Sequence, residues 1–292
     1  MARSAHPKGL RVRAEYWSSA LGRLRGDPLT VAFALLILAI FGSALLAPWI
    51  APFDPSAGSA LRRLAPIGTQ GHWLGTDELG RDMLSRLLHG GRVSLTLGVL
   101  PVLLALLIGG TLGIAAGFIG GHTNALIMRT MDVFYAFPSV LLAIGLSGVL
   151  GAGPRNLIVA VTAVLTPQIA RVAESVTTQV RSFGFVEAAR ASGAGTALII
   201  RYHVLRNVLG PILVFATSLV SVSMIISAGL NFLGFGVQPP TPDWGLMLNT
   251  LRQSIWINPE VAVLPGLMIF LTSFCFSQLS DSLRSALDVK LQ

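Results

Sequence analysis

Six stretches without Asp, Glu, Lys or Arg most strongly constrain how this chain folds. They are residues 28–53, 93–128, 133–154, 156–170, 207–242 and 261–280. Five of them reach the roughly 20 apolar residues that a helix needs to cross a membrane. Because backbone groups inside a bilayer must find their hydrogen bonds within the protein, such stretches are helical. The sequence therefore predicts an all-α polytopic membrane protein.

Six transmembrane helices are predicted within one membrane domain, residues 28–290. Their approximate bounds are 29–50, 93–117, 125–150, 156–175, 208–232 and 260–281. The fourth stretch is the shortest and contains Pro167 and Gln168, so its flanks or neighbouring helices must help it span. Pro138 can kink the third helix. The first stretch is too long for the apolar part of a secretory signal and is interpreted as an uncleaved anchor.

The distribution of positive charge predicts the orientation. If the N-terminus lies inside, 14 of the 21 lysines and arginines face the cytoplasm and seven face outward. The positive-inside rule therefore places both termini in the cytoplasm. The basic tail, residues 1–27, is either an amphipathic helix on anionic lipid or an unstructured terminus. Since orientation and lipid contact account for the net charge of +8, nucleic-acid binding is not expected.

Residues 77–89 have the pattern of an external amphipathic helix. Thr76 or Asp77 can cap it, Asp82 and Arg86 are spaced to pair, and Gly90 with Gly91 would end it. A helix of this kind, just before a span, is expected to lie on the outer membrane surface. It either anchors the chain there or presents a docking surface to a partner.

The spans themselves carry two informative patterns. Gly109, Gly113 and Gly117 form a small-residue stripe, which lets another helix approach, either in this chain or in a second membrane subunit. Arg129 and Asp132 lie three apart in the third span. They either pair with each other or, together with Phe137, line or gate a path through the membrane.

Residues 185–206 form a polar island with the pattern of a helical hairpin. Phe185, Ala188, Ala189 and Ser192 share one helix face, and the last three are small enough for close approach by another surface. Gly193 then supplies a turn before a second helix. Glu187 and Arg190 are three apart and can pair, so a merely solvated hairpin is the alternative interpretation.

The sequence carries none of the motifs that would power or catalyse a reaction. Its only lysines are Lys8 and Lys290, and no G-x-x-x-x-G-K-[ST] phosphate loop is present. The five histidines and the single Cys275 are too scattered for a metal site. No catalytic residue, metal or cofactor is expected in this chain. Because its charges cluster at span ends, a secondary transporter or channel is the less favoured class. Energy must then arrive from another protein.

Four blocks of sequence resemble a known family. They are Leu74 to Asp82, the stretch from Arg129 to Pro138, the Glu187-Ala188-Ala189 block followed by Gly193, and Gly234 to Gly245. In this order they resemble the permease subunits of binding-protein-dependent ABC importers, specifically the second permease of dipeptide, oligopeptide and nickel importers. The resemblance covers about residues 28–290.

The resemblance implies a type I permease fold in a prokaryotic cell membrane, with a cytoplasmic coupling helix. It implies a complex with a homologous permease, two cytoplasmic ATPases that bind ATP and Mg, and an external substrate-binding protein. Di- or oligopeptides are the expected substrate, and nickel or another small solute is the alternative. Glu187, Ala188, Ala189 and Gly193 would contact an ATPase, and the docking alternative for the outer segment places Asp77, Arg81 and Asp82 against the binding protein. Arg206 departs from the proline common in the family.

Overall fold

The computed structural model describes Gly22 and residues 26–288, and the regular elements found there are helices, as predicted. The predicted basic tail therefore lies almost wholly outside the described residues. The helices are α1 (Pro28–Ile50), α2 (Met83–Ile119), α3 (Gly121–Tyr135), α4 (Ser139–Leu150), α5 (Pro154–Arg181), α6 (Gly184–Ala191), α7 (Thr196–Ile199), α8 (Leu205–Phe232), α9 (Trp244–Leu251) and α10 (Pro259–Asp288).

Five helical segments of the described chain are long and apolar enough to cross a membrane. They are α1, α2, α5, the continuous stretch from Thr196 to Phe232, and α10. The third predicted span is instead two helices, α3 and α4, bent by 88°. If that bent pair counts as one span, the described chain has six. The bend occurs at Ala136 to Pro138, where proline has no N–H for a helical hydrogen bond.

The fourth predicted span, whose apolar stretch contains Pro167 and Gln168, is one continuous helix that extends beyond that stretch on both sides. Helix α5 runs for 28 residues through Pro167 without a break. Leu165, Ile169 and Ala170 around the proline are fully buried, so packing holds the helix straight where local sequence would weaken it. The break falls in the third span, where Val133 and Phe137 are largely exposed.

The glycine stripe of α2 packs against α5 of the same chain. A Cβ atom placed on Gly109, Gly113 or Gly117 would lie between 2.2 and 2.6 Å from a backbone carbonyl oxygen of α5. No side chain fits in that space, so the two backbones are in direct contact. Of the two alternatives, packing within this chain or against a second subunit, the glycine stripe therefore makes the first. Helix α8 then packs against both α2 and α5, and α10 packs against α8.

The predicted external helix over residues 77–89 is not a separate element. Residues 77–82 are a loop, and α2 begins at Met83 with Asp82 as its N-cap, whose carboxylate accepts the Ser85 N–H at 2.8 Å. Gly90 and Gly91, which were expected to end a helix, lie inside α2. They pack against the buried indole ring of Trp244, which leaves no room for a larger side chain. A Cβ on Gly91 would lie 3.0 Å from the Trp244 ring.

The irregular segment between α8 and α9, which is rich in Pro and Gly, packs against the bundle. The side-chain oxygen of Asn231 accepts the Val237 N–H at 2.7 Å, and a Cβ on Gly236 would collide with that same oxygen. Asp243 then caps α9 and accepts the Ser94 hydroxyl at 2.6 Å. The segment is thereby fixed to α2 as well as to α8.

Two glycines of α2 provide a matched test of the backbone contact. Gly113→Ala should lower the midpoint of thermal unfolding, because its methyl group would overlap a carbonyl oxygen and force the helices apart at a cost of about 1–3 kcal/mol. Gly110→Ala is the control, since the nearest atom to its Cβ would be 3.9 Å away. The measurement is thermal unfolding of the purified protein in detergent. Equal midpoints for the two variants would contradict the described packing.

Candidate functional site

The hairpin predicted from the polar island is present. Helix α6 ends in two hydrogen bonds that close its C-terminus: the Gly193 N–H donates to the Arg190 carbonyl at 2.9 Å, and the Ala194 N–H donates to the Ala189 carbonyl at 3.1 Å. This pattern needs a residue with positive φ, and Gly193 has φ +80°. Gly193 therefore sets the direction in which the chain leaves α6.

One side of α6 packs against the rest of the protein, and the other side is exposed. Val186 is fully buried beneath the helix, whereas Glu187, Ala188 and Ser192 are exposed and Ala189 is half-buried. Phe185 is 41% exposed. Of the predicted small face, Ala188 and Ser192 are thus presented outward, whereas Ala189 packs against the core and the Phe185 ring centroid lies 6.3 Å from that of His203.

The predicted Glu187–Arg190 pair does not form among the described residues. Instead the Arg190 guanidinium lies 5.1 Å from the centroid of the Phe118 ring, at the end of α2. This contact links the hairpin to the longest helix of the bundle and leaves the Glu187 carboxylate on the surface.

The second half of the hairpin passes into α8 without a break. Helix α7 continues through a π-helical turn, Ile200–Val204, into α8, which includes Arg206. Tyr202 lies between two guanidinium groups, with Arg201 at 5.5 Å and Arg206 at 5.4 Å from its ring centroid. Arginine in place of the family's proline is therefore compatible with an uninterrupted helix here.

The charges of the third span do not pair with each other. Asp132 forms an ion pair with Arg171 of α5, and both side chains are about half exposed. The Arg171 guanidinium also lies 5.1 Å from the centroid of the Tyr135 ring. Arg129 is exposed on α3, and Phe137 is 57% exposed at the bend. The self-paired alternative for Arg129 and Asp132 is wrong, because Arg171, one helix away, competes successfully for the carboxylate.

Asp77, Arg81 and Asp82 are buried, each with no more than 4% of its surface exposed. In this structure the three side chains therefore cannot make direct contact with a binding protein. The Asp77 carboxylate accepts from Arg81 Nε at 2.6 Å and lies 3.1 Å from Arg86 Nε. The predicted Asp82–Arg86 pair is replaced by this Asp77–Arg86 pair. These residues hold the loop of residues 51–82 onto the start of α2.

The same cluster contains a histidine that no sequence motif identifies. His72 is buried, and its Nδ1 lies 2.9 Å from an Asp82 carboxylate oxygen. Its Nε2 lies 3.2 Å from a guanidinium nitrogen of Arg62. Because arginine only donates, Nε2 accepts and Nδ1 carries the proton that is shared with Asp82. The loop fold brings these residues together from positions ten apart in sequence, which no local motif reveals.

The chain combines a bundle of membrane-spanning helices with a glycine-capped hairpin, and its sequence has no nucleotide-binding loop. These features are typical of the membrane subunit of a transport complex. Residues 109–291 match the model of the binding-protein-dependent transport system inner membrane component family. Residues 15–66 match the N-terminal transmembrane domain of oligopeptide transport permease C. The chain belongs to the binding-protein-dependent transport system inner membrane component family and is a permease of ABC importers.

Similar proteins share most of its length. The glutathione transport system permease protein GsiD of Pectobacterium atrosepticum is 40% identical over 94% of this chain and 92% of its own. That of Escherichia coli O6:K15:H31 is 41% identical over 94% of this chain and 91% of its own. The solved inward-facing MetNI methionine ABC transporter includes a chain with TM-score 0.58 and 20% identity, covering 70% of this chain and 97% of its own. This structural likeness is one of fold.

The buried ion cluster gives a testable stability effect. Asp77→Asn should destabilise the outer loop by about 3–5 kcal/mol, because it removes the charge that faces two buried arginines. Asp54→Asn is the control, since Asp54 is exposed and its carboxylate accepts the neighbouring Ser56 N–H at 2.7 Å. Limited proteolysis of residues 51–82, together with the unfolding midpoint, measures the effect. A protease-resistant loop in Asp77→Asn would show that the cluster does not hold it.

Proposed function

We propose that this permease forms, with a homologous permease, the path by which an ATP-driven importer takes up short peptides such as glutathione. Two cytoplasmic ATPases that bind ATP and Mg would drive it, and an external binding protein would deliver the solute. The exposed small face of α6, fixed in direction by Gly193, is the observation that carries the coupling part of the proposal. The 40–41% identity to glutathione permeases supports the substrate class.

The contacts of the hairpin support a route for coupling. An ATPase would contact Glu187 and Ala188 on the exposed side of α6, with Ala189 at the edge of that contact. A displacement of α6 would reach α2 through the Arg190–Phe118 contact. It would also reach α8 directly, because α7 and α8 form one helical segment from Thr196 to Phe232. ATP would shift the balance between inward-facing and outward-facing states only as far as the ATPases bind the two states differently.

The ion pair between α3 and α5 is the proposed inner gate. Asp132 and Arg171 connect the cytoplasmic half of the bent span to the fourth span, and both are accessible enough to exchange partners. Phe137 lies exposed at the bend, and Arg129 adds a positive charge two turns earlier on α3. On the outer side, we propose that the binding protein docks on the exposed side chains of Leu61 and Trp73 rather than on the buried Asp77, Arg81 and Asp82. The buried cluster around Asp77 supports the loop beneath Leu61 and Trp73.

Coupling is tested with two neighbouring glycines and one charge. Gly193→Val should abolish uptake and the ATP hydrolysis stimulated by loaded binding protein, because a β-branched residue does not adopt φ +80°. Glu187→Lys should weaken ATPase association by reversing an exposed charge. Both should insert normally into membranes. Gly195→Val is the control, because Gly195 has φ −67° and open space around it.

These variants are measured in the purified complex, by uptake into liposomes and by co-purification of the ATPases. Transport and stimulated hydrolysis at the control's level in Gly193→Val or Glu187→Lys would refute the coupling role of α6.

Orientation is tested by cysteine labelling after replacement of the buried Cys275 with serine. Leu61→Cys should react with an impermeant thiol reagent added outside cells, because Leu61 is 98% exposed on the proposed outer loop. Ala188→Cys should react only after the membrane is opened. The opposite pattern would place the termini outside.

A further inference from the structure

A small cavity lies at the bend of the third span. It has a volume of about 210 Å³ and is bounded by α3, α4 and α5. Its lining combines the aromatic rings of Phe134 and Phe137 with the polar groups of Tyr135, Ser139 and Gln168. Aromatic faces beside a few converging polar groups are typical of small-molecule sites.

Gln168 lies where a polar side chain is costly. It is 14 residues from Pro154 and 13 from Arg181, so it sits about 20 Å from either end of α5, near the end of the charge-free stretch 156–170. Among the described residues, its side-chain amide has no hydrogen-bond partner. A primary amide at this depth without a partner, opening into a cavity, is available to bind something that enters the cavity.

Arg171 lies one turn further along the same face of α5. Residues three apart are neighbours on a helix surface, so the Gln168 amide and the Arg171 guanidinium are adjacent polar groups on one face of α5. Its present partner is the Asp132 carboxylate, and both side chains are about half exposed. A carboxylate that arrives through the cavity could therefore take the place of Asp132.

We propose that this cavity is a solute subsite on the transport path, and that it receives the carboxylate end of a short peptide. The Gln168 amide would bond to a peptide group, while Arg171 would exchange Asp132 for the solute carboxylate. The cavity is smaller than the roughly 300–1,000 Å³ pockets that hold whole small ligands, so it receives one end of the peptide. This inference rests on the proposed peptide import.

The first experiment uses the complete complex in liposomes, with glutathione as the probe. Gln168→Leu and Arg171→Gln should each lower uptake about tenfold, because each removes one hydrogen-bonding group from the subsite. The controls are Gln179→Leu and Arg155→Gln, exposed residues of the same types on α5. Uptake at control level in both test variants overturns the subsite.

A second comparison separates solute binding from a merely structural ion pair. Asp132→Asn breaks the same pair as Arg171→Gln but leaves the guanidinium in place. Uptake in Asp132→Asn should therefore fall clearly less than in Arg171→Gln. Equal losses would show that only the ion pair matters and would overturn the carboxylate role of Arg171.

A third measurement needs no transport, so it distinguishes failure of the subsite from failure of the proposed import. In the Cys275→Ser background, Gln168→Cys should react with a charged, water-soluble thiol reagent at least tenfold faster than Val159→Cys. Val159 is an apolar residue on α5 that is 55% exposed. If wild-type complex fails to import glutathione, the proposed substrate is wrong. If position 168 reacts no faster than position 159, the cavity is closed to water and the subsite is refuted.

Discussion

The direct contact between the backbones of α2 and α5 is the constraint on which the rest of the structure depends. In lipid there is little hydrophobic gain from pressing two apolar helices together, so close packing of small residues must supply the attraction. The glycines at 109, 113 and 117 provide it over two helical turns. With α2 and α5 fixed, α5 sets the position of Arg171 and Gln168, and α2 carries Phe118 to the hairpin.

The contacts at the two ends of the bundle differ in kind. The end at the start of α2 is fixed by buried charge, with Asp77 beside Arg81 and Arg86 and Asp82 beside His72. The end that carries the hairpin is fixed by a few apolar and cation–π contacts, and part of α6 is exposed there. Removal of one member of a buried ion pair is far more costly than removal of a surface contact. The loop of residues 51–82 is therefore held more firmly than the hairpin.

The features that could be predicted from the sequence are those set by residues close together along the chain. Apolar stretches and turn residues gave the all-α fold and the positions of the long helices, and Gly193 gave the hairpin. What was missed depends on distant residues. Trp244 explains why α2 continues through Gly90 and Gly91, and burial explains why Pro167 does not break α5. The partners of Asp132 and Asp82 come from other segments, so helical spacing alone pointed to the wrong pairs.

Helix α2 has 37 residues and is about 56 Å long, which exceeds the roughly 30 Å hydrocarbon layer. Its first turns belong to the outer ion cluster, its middle faces α5, and its end carries Phe118 to Arg190. Inserting or deleting one residue in an α-helix rotates everything beyond it by about 100°. A length change within this helix would therefore turn the contacts that follow it out of line with the contacts that precede it.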